Sequence, residues 1–115
     1  MTDNPYPQPA AEDIRLTDVL RALSDVGRVR MVQVLADGDY HACTVGEFGL
    51  NITKSTLSHH FKTLREAGLT TVDVDGRNHS IALRVDDLEQ RFPGLLKSLT
   101  SENAVHDVAR GEAAG

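Results

Sequence analysis

Cysteine occurs once, at Cys43, and tryptophan not at all in 115 residues. One thiol cannot close an internal disulfide, which fits a reducing compartment and leaves open an intermolecular bridge or a reactive thiol. Aromatic residues make up only 4 %, so a core has to come from leucine and valine. No apolar run approaches the roughly 18 residues of a membrane span. The opening MTDNPYPQPAAED lacks the basic start and apolar stretch of a signal peptide. These absences predict a cytoplasmic protein with no membrane partner. Also missing are a phosphate loop, a Ser-His-Asp order and a carboxylate pair in convincing context, so neither an enzyme nor a cofactor is expected.

Basic charge is scarce overall: 12 Lys and Arg face 17 Asp and Glu, a net charge of −5. That balance argues against a nucleic-acid partner until its distribution is read. Residues 1–27 carry two basic and five acidic side chains, 28–84 seven and six, and 85–115 three and six, giving −3, +1 and −3. Between Thr53 and Arg65 there is no acidic residue, while Lys54, His59, His60, Lys62 and Arg65 all fall there. A local field of that sign suits phosphates, although a solvated helix face has the same composition.

The apolar 40 % and charged 25 % describe an ordinary globular chain, and the length suits one domain. Three of the four prolines lie in residues 5–9, so residues 1–12 are expected to form a flexible tail. Leu16, Val19, Leu20 and Leu23 keep helical spacing from Asp13 to about Ser24. Ser24 or Asp25 can cap a second helix, too apolar all round for the surface and stopped by Gly38. Thr44 and Glu47 have the spacing of a capping box for a short third helix, broken by Gly49 to Asn51. Thr53 can cap a fourth that runs to Gly68. TTVDV and HSIALR then alternate as strands, joined through Asp75-Gly76-Arg77-Asn78. Asp86 or Asp87 caps a further turn, and Pro93 suits the first position of a last helix carrying Leu95, Leu96 and Leu99. The folded domain is expected over 13–108, with a flexible tail at 109–115.

This order, mainly α with a β-hairpin wing, is that of a winged helix-turn-helix. It explains the composition of TKSTLSHHFKTLREAGL. A recognition helix buries one side, here Leu57, Phe61 and Leu64, and offers short donors and acceptors to base edges near its N-terminus. Thr53, Lys54, Ser55, Thr56, Ser58, His59 and Lys62 are the expected DNA contacts, with Arg77 at the wing tip on the adjacent backbone or minor groove. His60, beside the apolar stripe, reads as a structural, hydrogen-bonded histidine.

The strings ALSDVGRVRMVQVLADGD and KSTLSHHFKTLREAGL, followed by a DGR hairpin, resemble the ArsR/SmtB family of small bacterial winged-helix repressors. The most specific stretch is STLSHHFKTLREAGL, similar to that family's recognition helix. The resemblance covers about residues 13–100. It implies a homodimer, built from the first and last helices at 13–24 and 93–108, that occludes a double-stranded DNA operator and leaves it when an effector binds.

The family's metal-sensing members carry a C-x-C motif where this chain reads ACTVGEF, and their last-helix metal signature is missing from SLTSENAVHDVARGE. No metal site of the family type is expected. Cys43 directly precedes the Thr44 cap, with His41 two residues away, and both neighbours would favour a thiolate; redox sensing, inert packing and metal ligation by a non-family site all remain open. Glu102 and His106, one helical turn apart, read as solvated. A winged-helix module for protein association is the alternative to a DNA-binding repressor.

Overall fold

A computed structural model of the chain describes residues 6–114. A 3-10 turn at Ala11–Asp13 leads into α1 (Leu16–Ala22), α2 (Val26–Leu35), β1 (His41–Ala42), α3 (Val45–Phe48) and α4 (Lys54–Glu66). Strands β2 (Thr70–Asp75) and β3 (Asn78–Leu83) follow, then α5 (Val85–Arg91), α6 (Leu95–Leu99) and α7 (Glu102–Ala114). The mostly helical fold with a small antiparallel sheet is a winged helix-turn-helix.

Helix α2 starts where Asp25 accepts a hydrogen bond from the Arg28 amide at 3.2 Å, so Asp25 is the cap, not Ser24. Its Met31, Val32 and Leu35 are fully buried and form the centre of the core with Ile14, Val19, Phe48, Leu64, Leu69 and Leu88. Burying each large side chain of this kind stabilises by about 1.5–3 kcal/mol, so this apolar cluster fixes where the peripheral helices dock.

Thr53 caps α4 as expected, its Oγ1 accepting from the Thr56 amide at 3.2 Å. Leu57 and Leu64 are buried on the inner face, and the Phe61 ring meets Phe48 of α3 edge-to-face at 5.8 Å. The helix ends at Gly68, whose φ of +91° turns the chain into β2. A methyl group there would lie 2.6 Å from Ile14 Cγ1, so both conformation and space require glycine.

Strands β2 and β3 pair from Thr70↔Leu83 to Asp75↔Asn78, placing Gly76 and Arg77 in a two-residue turn. Only Gly76 takes a positive φ there, as a type II′ turn demands. Strand β1 adds a third member: His41 pairs with Ile81 and Ala42 with Ser80, giving the order β1-β3-β2. The sequence gives no periodic sign of a strand two residues long.

Several expectations change. Glu47 does not complete a capping box: the Thr44 hydroxyl accepts from the Glu47 amide at 3.3 Å, but the Glu47 carboxylate turns to His41. Neither Asp86 nor Asp87 caps α5; Asp87 instead accepts from Arg84. Pro93 is not a first helical residue, because Gly94 (φ +89°) intervenes before α6. The last helix is broken at Thr100, and Ser101 Oγ accepts from the Ala104 amide to begin α7. That helix continues to Ala114, past the expected boundary at 108.

Residues 1–5 of the expected flexible tail lie outside the described residues, but from Tyr6 onward the segment is held on the body. Arg65 Nε donates to the Pro7 carbonyl at 3.3 Å and Arg84 Nη1 to the Pro9 carbonyl at 2.7 Å. A proline-rich segment has carbonyls to spare, since it cannot spend them on a helix of its own.

Candidate nucleic-acid interface

The surface that the sequence singled out is the N-terminal half of α4 together with the β2–β3 tip. Thr53, Lys54, Ser55, Thr56, Ser58, His59 and Lys62 are all exposed, as is Arg77. The side chains of Lys54, Ser58, His59, Lys62 and Arg77 have no hydrogen bond or ion pair to any described residue. The hydroxyls of Thr53, Ser55 and Thr56 form a local cluster: Thr53 Oγ1 donates to Thr56 Oγ1 at 3.0 Å and lies 3.3 Å from Ser55 Oγ. Thr53 and Thr56 are thus occupied with starting the helix, while Ser58, His59 and Lys62 are free to meet something outside.

His60, read from the sequence as a structural, hydrogen-bonded histidine, holds α4 in place together with Asp25 and with Arg28, which sequence reading passed over. His60, 6 % exposed, accepts at Nδ1 from Arg28 Nη1 at 3.1 Å. Arg28 also donates through Nε to the Ala22 carbonyl at 2.6 Å, and Asp25 Oδ1 lies 3.9 Å from His60 Nε2. Burial holds the His60 pKa below its usual value, against the pull of Asp25, so the ring is neutral and accepts rather than carrying an ion pair. One arginine thereby ties the end of α1, the start of α2 and the recognition helix together. Arg28 and His60 are 32 positions apart in sequence, and no local pattern announces their contact.

Comparison with known proteins agrees with this geometry. The family model described as "Bacterial regulatory protein, arsR family" matches residues 25–72, which span α2, the α3–α4 pair and the start of β2. The HTH-type transcriptional regulator YceK of Bacillus subtilis (strain 168), itself named as uncharacterized, is 40 % identical over 92 residues, covering 77 % of this chain and 90 % of that protein. The chain belongs to the ArsR family. An arsenical resistance operon repressor of Staphylococcus aureus is 35 % identical over 80 residues, covering 67 % of this chain and 76 % of that protein. The transcriptional regulator CmtR of Mycobacterium bovis (strain ATCC BAA-935 / AF2122/97) is 33 % identical over 79 residues, covering 67 % and 64 %.

This ArsR-family chain is therefore a DNA-binding transcriptional regulator and not an enzyme. No helix among the described residues is long and apolar enough to cross a membrane. No group of three or more His, Cys, Asp and Glu residues able to hold a metal ion occurs among the described residues.

Cys43 does not have the environment the sequence suggested. Its side chain packs against the core, and burial pushes the thiol pKa up rather than down. The neighbour that was to favour a thiolate is engaged elsewhere: His41 Nδ1 lies 2.6 Å from Glu47 Oε2 and its Nε2 2.9 Å from Asp37. Helix α3, four residues long, has too short a dipole to reverse that. Desolvation thus opposes the thiolate expected at Cys43.

Proposed function

We propose that this ArsR-family regulator is a cytoplasmic homodimeric repressor whose two recognition helices occupy an operator and leave it when an effector binds. The observation that carries the reading is the set of side-chain donors Ser58, His59 and Lys62, without partners among the described residues, on an exposed helix face, with Arg77 exposed at the hairpin tip. Ser58 and His59 read base edges, whereas Lys62, Lys54 and Arg77 neutralise phosphates. Thr53, Ser55 and Thr56 set the helix start and present its N-terminal amides to the backbone. Dimerisation follows from the family relationship and from apolar side chains left in solvent: Leu16 and Leu20 of α1, Val26 and Val105 are 40–51 % exposed.

Cys43 contributes to this reading as packing and not as the release switch, since a raised thiol pKa slows attack on peroxide or disulfide. The test is operator binding across a salt series for single variants. Ser58→Ala is expected to lose about 1–3 kcal/mol on operator and little on random DNA. Arg77→Ala is expected to weaken both and lower the salt slope by about one. Equal losses for Ser58→Ala on both DNAs, or affinity insensitive to salt, would transfer the reading to protein association.

A further inference from the structure

Between the recognition helix and the wing lies an open cleft of about 890 Å³, within the usual size of small-molecule sites. Phe61, Val72 and Ile81 give it an apolar wall. In a chain with a net charge of −5, none of the described residues lining it is acidic, yet His41, Arg65, Arg77 and His79 all contribute. His41 is neutralised by Asp37 and Glu47, so the uncompensated cations among the described residues are Arg65 and Arg77. Arg65 spends only Nε, on the Pro7 carbonyl, and its Nη groups have no hydrogen-bond partner among the described residues.

Two further observations define what such a cleft accepts. Thr70, fully buried and lining the cleft, keeps its hydroxyl without a partner among the described residues. An orphaned hydroxyl of this kind costs about 1–3 kcal/mol until something satisfies it. The chain also places a phenol in the cleft. The Tyr6 ring stands edge-on to His79 at 5.5 Å, its hydroxyl lies 3.3 Å from His79 Nδ1, and the Arg65 guanidinium sits 5.2 Å from its centroid. A six-membered aromatic ring bearing an oxygen therefore already fits between arginine and histidine.

We propose that this cleft binds a small aromatic carboxylate, and that such a molecule is the effector class. The carboxylate takes the free Nη groups of Arg65 and satisfies the Thr70 hydroxyl, while the ring packs on Phe61, Val72 and Ile81 beside Tyr6. Ser58 and Arg77 line the same cleft and belong to the DNA face, so occupation opposes operator binding directly. This inference rests on the repressor reading for its consequence but not for the binding itself.

The experiment titrates the full chain with benzoate at constant ionic strength, following backbone amide resonances and, in parallel, operator affinity. Saturable shifts at Cys43, Thr70, Val72 and Ile81 are expected, together with loss of operator affinity. Arg65→Gln and Thr70→Val should each weaken benzoate, the former about tenfold, a change of about 1.4 kcal/mol. Thr70→Val should leave operator affinity without benzoate unchanged. Benzyl alcohol and cyclohexanecarboxylate, which lack the charge and the aromatic face respectively, should bind more weakly. Absence of saturation up to about 10 mM, far weaker than the roughly 1 mM of a −4 kcal/mol interaction, overturns the proposal. Equal binding of inorganic phosphate at the same resonances also overturns it, leaving only a phosphate contact for DNA. Intact operator binding without benzoate binding removes the cleft proposal alone; benzoate binding by a protein that ignores its operator removes the repressor reading alone.

Discussion

Glu47 Oε2 lies 2.6 Å from His41 Nδ1, and both carboxylate oxygens of Asp37 lie 2.9 Å from His41 Nε2. The imidazole thus bridges the chain just after α2 to the first helix of the helix-turn-helix, and a ring donating from both nitrogens is the protonated form. The two carboxylates raise the His41 pKa above 6.5, with Asp37 the larger cause. The reciprocal hydrogen bond lowers that of Asp37 below 3.8.

Stability from these shifts has a defined pH window. A raised histidine contributes fully below its unfolded value of 6.5 and loses the contribution as pH rises through the folded value. A depressed aspartate contributes above 3.8 and loses it as pH falls through the lower folded value. The Tm difference between wild type and His41→Gln is therefore expected to be largest near about pH 5–6 and to shrink toward about pH 9. A pH-independent difference in thermal melts would remove the protonated bridge.

Gly68→Ala is expected to be the most damaging single-methyl change at the recognition helix. A left-handed residue with a Cβ costs about 1–2 kcal/mol, and forcing a methyl against packed side chains about 1–3 more. The added methyl would meet three atoms of the fully buried Ile14. Urea unfolding should report a loss of about 2–5 kcal/mol. Ile14→Ala, which removes all three of those atoms, should cost less in the Gly68→Ala background than in wild type; strictly additive losses would mean that φ alone makes the position glycine.

The elements legible in the sequence are those written in local patterns. The stripe of Leu57, Phe61 and Leu64, the Thr53 cap and the Gly68 stop define α4 within a residue or two, and alternation plus Gly76 define the hairpin. What was illegible depends on partners distant in the chain. Arg28 and His60 are 32 positions apart, Arg84 and Pro9 are 75, and β1 exists only because β3 offers its edge. An apolar stripe at helical spacing also need not stay in solvent. Val19 is fully buried and Leu23 partly so, and Leu95, Leu96 and Leu99 pack on the core. A 3.6-residue stripe tells which face is apolar but not whether the same chain or another covers it.

Cys43 supplies a chemical test of the buried environment. Its alkylation by iodoacetamide at neutral pH is expected to run slower than that of a free thiol of ordinary pKa, because only the thiolate attacks. Unfolding in urea should abolish the difference. Diamide or dilute peroxide should leave operator affinity of wild type and Cys43→Ser alike; release of wild type alone, reversed by thiol reductant, would restore the redox switch.

The dimer prediction follows from where apolar area remains in solvent. Leu20 and Leu16, one helical turn apart on α1, are 51 % and 46 % exposed, and Val105 of α7 is 40 % exposed. Leu20→Asp leaves the fold of one subunit with little to lose, since half of that side chain touches nothing in its own chain, but it places a charge where a second copy would bury it. A residue near the centre of such an interface is worth about 2 kcal/mol or more, which weakens self-association by roughly thirtyfold. Sedimentation velocity at micromolar concentration should therefore show a dimer for wild type and a mixture shifted to monomer for Leu20→Asp, with unchanged Tm at high dilution. DNA binding should follow with a characteristic asymmetry. An operator offers two half-sites about one helical turn apart, so a monomer loses the second contact, whereas random DNA is held by phosphate charge that each subunit keeps. Operator affinity should fall much more than random-DNA affinity. A wild-type chain that sediments as a monomer while binding operator fully would refute the two-subunit arrangement, and a Leu20→Asp dimer of undiminished strength would move the interface off α1.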